Sequence, residues 1–523
     1  MSAGAIARAA GLLLLGSLAS RLLGLGREQV IAALYGASAT TSAFATAATI
    51  PTMIYDLLIG GAVTAALVPV FSQYRRTGAE RDLGQVMGTL LLLGGLGLAL
   101  LSVGVVLAAP LLVGLLAPGQ EPALFAQTVL FAQLVGPSVI FLGLAGVTGA
   151  LLMACDRFGY TALAQSAYNG GIILGALLLS PVLGPAALCV GVLGGSALQL
   201  LLQLLGLRGL SLRLGVAFGH PGLRQIVRLY APVAAGLVVS QIGVAIDRHL
   251  AWQTGEESVA VMRFATTLVQ LPLGLVGTAT GLAVLPVLSR LSAENPAEQA
   301  AFRTTLAMGI RLSLLGVLPL MVGLVVLRVP VIAILFERQA FDARATALTA
   351  LAFLLYAPQM PFWAVDQLLI FAFYARRDTL TPMLVGLLGV GLYLATGLPL
   401  SRLWGMPGLV LANTVQNSLH AVVLYGLLCR RWGGLGGQGI EGLLWRAGLA
   451  AAAEGLVLSG LLLLAEPLLA QGWLSRLLTT VGLASLGLGV YLAVLRGLRT
   501  PDLATLWALV RQRVGRRRPV PLA

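Results

Sequence analysis

Long apolar runs, each ended by a short polar stretch, fill the chain from end to end. Fourteen are long enough to cross roughly 30 Å of hydrocarbon as helices. They lie near 9–34, 42–72, 86–116, 124–154, 160–180, 183–207 and 224–251, and near 259–290, 304–327, 345–375, 380–399, 405–430, 442–468 and 472–497. Pro and Gly recur inside them, as membrane helices tolerate when neighbours re-satisfy the freed backbone groups. The pattern predicts an all-α polytopic membrane protein with about fourteen transmembrane helices.

Composition sharpens this. The chain is 58% hydrophobic and 10% charged, against about 25% charged residues in soluble domains. Most of it therefore belongs in lipid, and a soluble protein with one anchor is excluded. All 33 basic residues are Arg. A P-loop needs its Lys, so a P-loop ATPase within this chain is excluded as well.

The arginines predict orientation. Loops after even-numbered runs carry 15 of them and loops after odd-numbered runs carry 6. By the positive-inside rule the even loops and both termini are cytoplasmic. Arg511, Arg513, Arg516, Arg517 and Arg518 in the tail agree; they read as a tether to anionic lipids, with nucleic-acid binding a distant second and not expected. The first run resembles a signal peptide in its apolar stretch. Arg21 and Arg27 follow it directly and no cleavage site stands out, so it reads as a retained span.

An internal repeat organises the runs. Phe44-Ala45-Thr46 before Pro51 recurs as Phe264-Ala265-Thr266 before Pro272, and Ala66–Ser72 recurs as Ala283–Ser289. Met153–Arg157 is echoed by Phe373–Arg377, all at an offset near 220 residues. An offset of six spans preserves orientation, so the halves are parallel repeats with a site between them near mid-membrane. The expected organisation is a lobe at 1–215, a lobe at 216–435, an extra helix pair at 436–500 and the basic tail at 501–523. A repeat-built bundle with charges in its first helix reads as a transporter. A channel is disfavoured by the lack of a filter-like motif.

The chemistry concentrates in Ser20–Glu28 of the first run. Arg at a helix centre costs roughly 2.5–3.5 kcal/mol on insertion scales, so an intramembrane Arg is a functional hypothesis by default. Snorkelling to the headgroups is the bland alternative. Six residues turn an ideal helix through about 600°, which sets Arg21 and Arg27 about 120° apart. A kink at Gly24 or Gly26 would swing both into one cavity. Asp56, mid-span in the second run, would pair with Arg21 or Arg27, or serve cation coupling. Arg263 near the start of the eighth run would face the same cavity or snorkel. Asp366 is another intramembrane carboxylate, fitting either a polar face or a coupling site. Asp247 with Arg248 reads as an interfacial pair, and Arg446, Glu454 and Glu466 as helix ends or one packed contact.

Guanidinium binds phosphate oxygens bidentately, so several arginines in one cavity suit a diphosphate and repel a small cationic drug. No cofactor or metal is expected. Cys155, Cys189 and Cys429 are far apart, and His220, His249 and His420 have no zinc spacing. No Gly-x-Ser-x-Gly elbow stands out.

Several stretches resemble the MurJ (MviN) family of lipid II flippases, within the multidrug/oligosaccharidyl-lipid/polysaccharide exporter superfamily. They are Ser20–Gly24 with Gly26-Arg27-Glu28, Ala65–Phe71, Gln270–Gly274 through Leu285–Arg290, Leu335-Phe336, Phe341-Asp342, and Ala372–Pro382. The likeness covers most of 10–430. It implies fourteen helices in two lobes around a cationic cavity, and a C-terminal pair forming a groove for a polyprenyl tail. It further implies lipid II, an undecaprenyl-diphosphate-linked peptidoglycan precursor, flipped between leaflets of the bacterial cytoplasmic membrane by alternating access for cell-wall synthesis. Arg21 and Arg27 fall on two of the family's essential arginines.

The chain also departs from the family. Tyr55 or Asp56, and Thr267, stand where the family usually has Arg; Arg263 is one turn before Thr267 and would substitute. An Asp usual near Ser42 is missing. Span 380–399 holds no Asp or Asn, so a sodium site of some members lacks support. The expected diphosphate ligands are thus Arg21, Arg27 and Arg263, with Ser20, Glu28, Tyr55, Asp56 and Thr267 around them. Expected partners are lipid II or a similar polyprenyl-diphosphate lipid, anionic lipids and cell-wall synthesis proteins. The rivals are a flippase for another polyprenyl-diphosphate oligosaccharide, a cation-coupled drug exporter, a membrane glycosyltransferase, which would need a carboxylate-rich loop, and a non-transporting scaffold.

Overall fold

The computed structural model describes residues 3–60, 66–210, 214–288, 291 and 295–503, so the basic tail from 504 onward lies outside the described residues. Among the described residues the chain forms nineteen α-helices and no strand. The first nine are α1 (Ala3–Tyr35), α2 (Ala39–Tyr55), α3 (Val68–Arg76), α4 (Glu80–Leu107), α5 (Ala109–Leu116), α6 (Pro122–Val135), α7 (Ser138–Ala154), α8 (Phe158–Leu183) and α9 (Ala186–Gly206). Then come α10 (Pro221–Gln253), α11 (Ser258–Leu288), α12 (Pro296–Val326), α13 (Arg328–Phe336) and α14 (Ala343–Tyr356). The last five are α15 (Met360–Ala375), α16 (Leu380–Trp404), α17 (Met406–Trp432), α18 (Ile440–Leu469) and α19 (Trp473–Gly497).

Ten spans among the described residues are long and apolar enough to cross a membrane, and α10 adds an eleventh if its bent halves, Pro221–Ala231 and Gly236–Gln253, count as one. The runs expected near 9–34, 259–290 and 405–430 are occupied by α1, α11 and α17, which fall outside that count. In α17 the cause is polar: Asn413, Gln416, Asn417 and His420 sit in its middle. Large apolar side chains stand fully outward, such as Val182 at 83% and Leu464 at 79% exposure. Spans so apolar and so open on one side are stable in hydrocarbon, not in water. The chain is a multi-pass membrane protein.

The chain divides into two compact units, Met1–Arg263 with Arg338–Ala345, and Phe264–Glu337 with Thr346–Ala523. In the first, Val70, Phe71, Val86, Met87, Ala150 and Leu151 form a buried cluster where α3, α4 and α7 meet. Helices α8 and α9 approach through glycine: a Cβ on Gly175 would lie 2.5 Å from the Gly191 Cα. Small residues are what let membrane helices pack this closely. In the second unit, Phe302, Leu306, Ile310, Leu369, Phe373 and Leu424 form the core. The Tyr491 hydroxyl of α19 donates to the Leu315 carbonyl of α12 at 3.0 Å.

The helix order α4 to α9 recurs as α12 to α17, with breaks at corresponding places. The backbone marks the correspondence sharply. Asp156 and Arg377 both adopt a left-handed φ, 58° and 59°, and Gly184 and Gly405 have φ of 55° and 64°; each pair is 221 residues apart. The echo read from sequence thus holds with a shift of one residue, because the shared turn geometry falls on Asp156 and Arg377. The match is looser earlier in the chain. Pro69 opens α3, whereas Pro286 lies within α11 close to its end.

Candidate functional site

Helix α1 is one continuous element from Ala3 to Tyr35, with no break at Gly24 or Gly26. Those glycines face α8 instead. A Cβ on Gly24 would meet Asn169 Nδ2 at 3.6 Å, and one on Gly26 would meet Ile173 Cδ1 at 3.9 Å. Packing against α8 accounts for them.

Asn169 uses both ends of its amide on α1. Its Nδ2 donates to the Ser20 carbonyl at 3.2 Å, and its Oδ1 accepts from Arg27 Nη1 at 3.0 Å. It is 3% exposed. The Arg27 guanidinium is thereby held from outside its own helix. Arg27 also donates to Glu28 Oε1 through Nε at 3.0 Å and Nη2 at 2.6 Å.

Glu28, 1% exposed, is the centre of the site. Arg263, on the first turns of α11, grips the same carboxylate with two parallel bonds: Nε to Oε2 and Nη2 to Oε1, both 2.8 Å. Such fork-to-fork pairing is short, charge-assisted and directional. The Arg263 guanidinium also lies over the Phe44 ring of α2, 5.5 Å from its centroid. The chain before Arg263 is pinned to α2 by two buried bonds. Trp252 Nε1 donates to Thr46 Oγ1 at 2.8 Å, and the Ala260 N–H donates to Ser42 Oγ at 3.1 Å.

The structure therefore brings Arg27, Glu28 and Arg263 together. Ser20 takes part through its backbone. Arg21 sits one helical stretch earlier, half-buried, and forms no ion pair among the described residues. The expected pairing of Asp56 with Arg21 or Arg27 is overturned: the carboxylate between the arginines is Glu28. Asp56 opens a π-helical turn, Asp56–Gly60, and joins no ion pair among the described residues. Arg27 is taken because Glu28 lies next to it on the same helix. Tyr55 packs beside Gly146 of α7. Thr267 is half-buried on α11 and falls in the second unit. Among the described residues no group of three His, Cys, Asp or Glu could hold a metal ion.

Asn169 was missed in the sequence. Its signal was a lone amide in the apolar run 160–180. Asp366 pairs with His420 inside the second unit, Oδ1 to Nδ1 at 2.8 Å. Outside the spans, Asp378 before α16 accepts from the Thr381 N–H at 2.9 Å and the Thr381 hydroxyl at 2.7 Å, and pairs with Arg431. Burial alone would raise its pKa; the Thr381 hydrogen bonds and the Arg431 charge outweigh that and hold it below the usual carboxylate range.

The family model described as lipid II flippase MurJ matches residues 31–481. A protein of Vibrio cholerae called probable lipid II flippase MurJ is 31% identical over 515 residues, covering 93% of this chain and 95% of its own. A Rhizobium meliloti protein of the same description is 30% identical over 511 residues, covering 94% and 93%. A solved lipid II flippase MurJ in an inward closed conformation superposes with a TM-score of 0.75 at 21% identity, over 93% of this chain and 99% of that one. An inward-facing multidrug resistance MATE transporter gives 0.68 at 13% identity, over 82% and 98%.

Proposed function

Since the chain belongs to the lipid II flippase MurJ family, we propose that it moves lipid II across the membrane, with Arg27, Arg263 and Arg21 receiving the diphosphate. The observation that carries this is the Arg27–Glu28–Arg263 cluster. Two guanidinium forks already grip one oxyanion there, and they suit phosphate oxygens as well as carboxylate oxygens. Glu28 orients both forks and offsets part of their charge. Asn169 fixes the Arg27 direction. Arg21, one stretch along α1, adds charge without an internal carboxylate.

The fold is shared with multidrug transporters and does not choose the cargo. The charge does: three arginines against one glutamate favour an anionic headgroup over a cationic drug. The lobes at 1–215 and 216–435 would alternate in opening to the two leaflets, and the pair at 436–500 would accommodate the polyprenyl tail. Both termini would be cytoplasmic in the bacterial inner membrane, and the basic tail would hold anionic lipids. Cell-wall synthesis proteins would supply and use the cargo.

The test is depletion of the native protein in its host with plasmid-borne variants. The Arg21→Ala/Arg27→Ala double variant should insert normally, fail to restore growth and leave lipid II on the cytoplasmic side. Full restoration at normal protein level would place the diphosphate elsewhere.

A further inference from the structure

The second unit holds a polar ladder that the diphosphate reading leaves unused. It joins the end of α14, the short turn before α15 and α15 itself to α17. The Thr414 hydroxyl donates to the Leu355 carbonyl at 2.7 Å. Asn417 Nδ2 donates to Gln359 Oε1 at 2.6 Å and to Asn413 Oδ1 at 3.0 Å. One to two turns further on, His420 Nδ1 meets Asp366 Oδ1 at 2.8 Å. Gln359 is 2% exposed and Asp366 9%, while the His420 side chain keeps 17% of its surface open.

With Asp366 ionised, the pairing assigns the tautomer. A carboxylate oxygen only accepts, so Nδ1 carries the hydrogen. Nε2 is then the lone-pair nitrogen, and no described residue donates to it. The dyad is a carboxylate orienting an imidazole whose other nitrogen is ready to accept a proton.

The neighbouring elements do not quench it. From α12 the charged groups are Glu298, Arg303 and Arg311. Arg311 is spent on Asp502 at 2.8 Å and on the Gln438 carbonyl, and Arg303 lies against Gly433. From α16 come Tyr393 and Arg402; from α15, Tyr374; from α14, Tyr356 and Arg344, the latter paired with Glu257 at 2.6 Å. On α17 itself are Tyr425, Cys429, Arg430 and Arg431, the last paired with Asp378. Gly309 of α12 packs against Leu368, and Gly389 of α16 against Gln416.

We propose that Asp366 and His420 form a proton-binding site inside the second unit. A proton from water adds to Nε2. The resulting imidazolium stays paired with the Asp366 carboxylate, and the dyad passes from one net negative charge to none. In a low-dielectric setting that change alters the pull on every polar neighbour in the ladder. Coupling of this event to lipid movement rests on the flippase reading; proton binding itself does not.

The test uses full-length protein in lipid nanodiscs with ring-15N histidine. The chain has only His220, His249 and His420, so His420→Gln removes one of three signals, and His220→Gln with His249→Gln assign it by elimination should that variant fold poorly. The His420 signal should pass from the Nδ1–H tautomer to imidazolium as the buffer is acidified. Asp366→Asn should move that transition, and Asp82→Asn, beside His220, should not. A His420 that holds one protonation state throughout, or that carries its hydrogen on Nε2, overturns the site and leaves a merely structural contact. In proteoliposomes, His420→Gln keeps an N–H donor for Asp366 but cannot titrate, so it should flatten the pH profile of lipid II movement. An unchanged profile beside a titrating His420 overturns the coupling. Absence of lipid II movement by the parent protein overturns the flippase reading and not the proton site.

Discussion

Arg263 and Glu28, 235 positions apart, meet through two parallel hydrogen bonds of 2.8 Å, with Arg27 closing on the same carboxylate from its other side. Removing one partner of a buried ion pair typically costs about 3–5 kcal/mol, because the other charge is left uncompensated. Glu28→Ala strands two guanidinium groups and should lower thermal unfolding in detergent clearly. The Glu28→Gln/Arg263→Gln double variant should recover part of the loss, with a coupling on the order of 1–3 kcal/mol. Strictly additive effects would mean the pair does not interact.

Lysine keeps charge but loses the planar fork. Arg27→Lys should retain only part of the lipid-moving activity, while Arg27→Ala and Arg263→Ala should each abolish growth restoration to a similar degree. A clearly milder Arg263→Ala would mark that residue as peripheral to the cargo.

Asn169→Leu keeps the volume and removes the amide that directs Arg27. A hydrogen bond to a charged group contributes about 1.5–3 kcal/mol. The transport rate should fall on the order of tenfold at unchanged membrane level, with the protein still folded by near-UV circular dichroism. An unchanged rate would show that Arg27 is positioned by Glu28 alone.

Asp378 ties α16 to Arg431 and Thr381, and its pKa is held low. Its folded value lies below its unfolded value, so its stabilising effect is present above the ordinary carboxylate pKa of about 4 and is lost as pH falls through the folded value. Asp378→Ala should destabilise by about 1 kcal/mol at neutral pH, as loss of a helix-start acceptor does. The difference from the parent should vanish in acid. A gap that persists at the lowest pH would point to packing instead.

The arginine asymmetry sets the topology test. In a variant lacking Cys155, Cys189 and Cys429, a cysteine at Thr77 should be shielded from an impermeant external thiol reagent, and one at Gly119 should react. The reverse labelling would invert the orientation.

Helical membrane architecture and its repetition were written in the sequence. Apolar run length reports directly on what hydrocarbon will accept, and backbone groups there have few alternatives to a helix. The repeat was visible because similar stretches serve the same turn geometry: Met153–Arg157 and Phe373–Arg377 each hold a residue of left-handed φ, Asp156 and Arg377. Arg21, Arg27 and Arg263 were legible as candidates too, because an arginine in a span is costly wherever it sits. Which carboxylate answers them was not. Asp56 and Glu28 are equally acidic on paper, and sequence separation says nothing about which side chain the packing of α1 on α8, and of the α10–α11 turn on α2, will carry to the same point. Only the fold placed Glu28 between two guanidinium groups, set Asn169 behind Arg27 and carried the helix without a break through Gly24 and Gly26. Charge pairing in a low-dielectric interior is decided by contact distance, and contact between residues hundreds of positions apart exists only once the helices have packed.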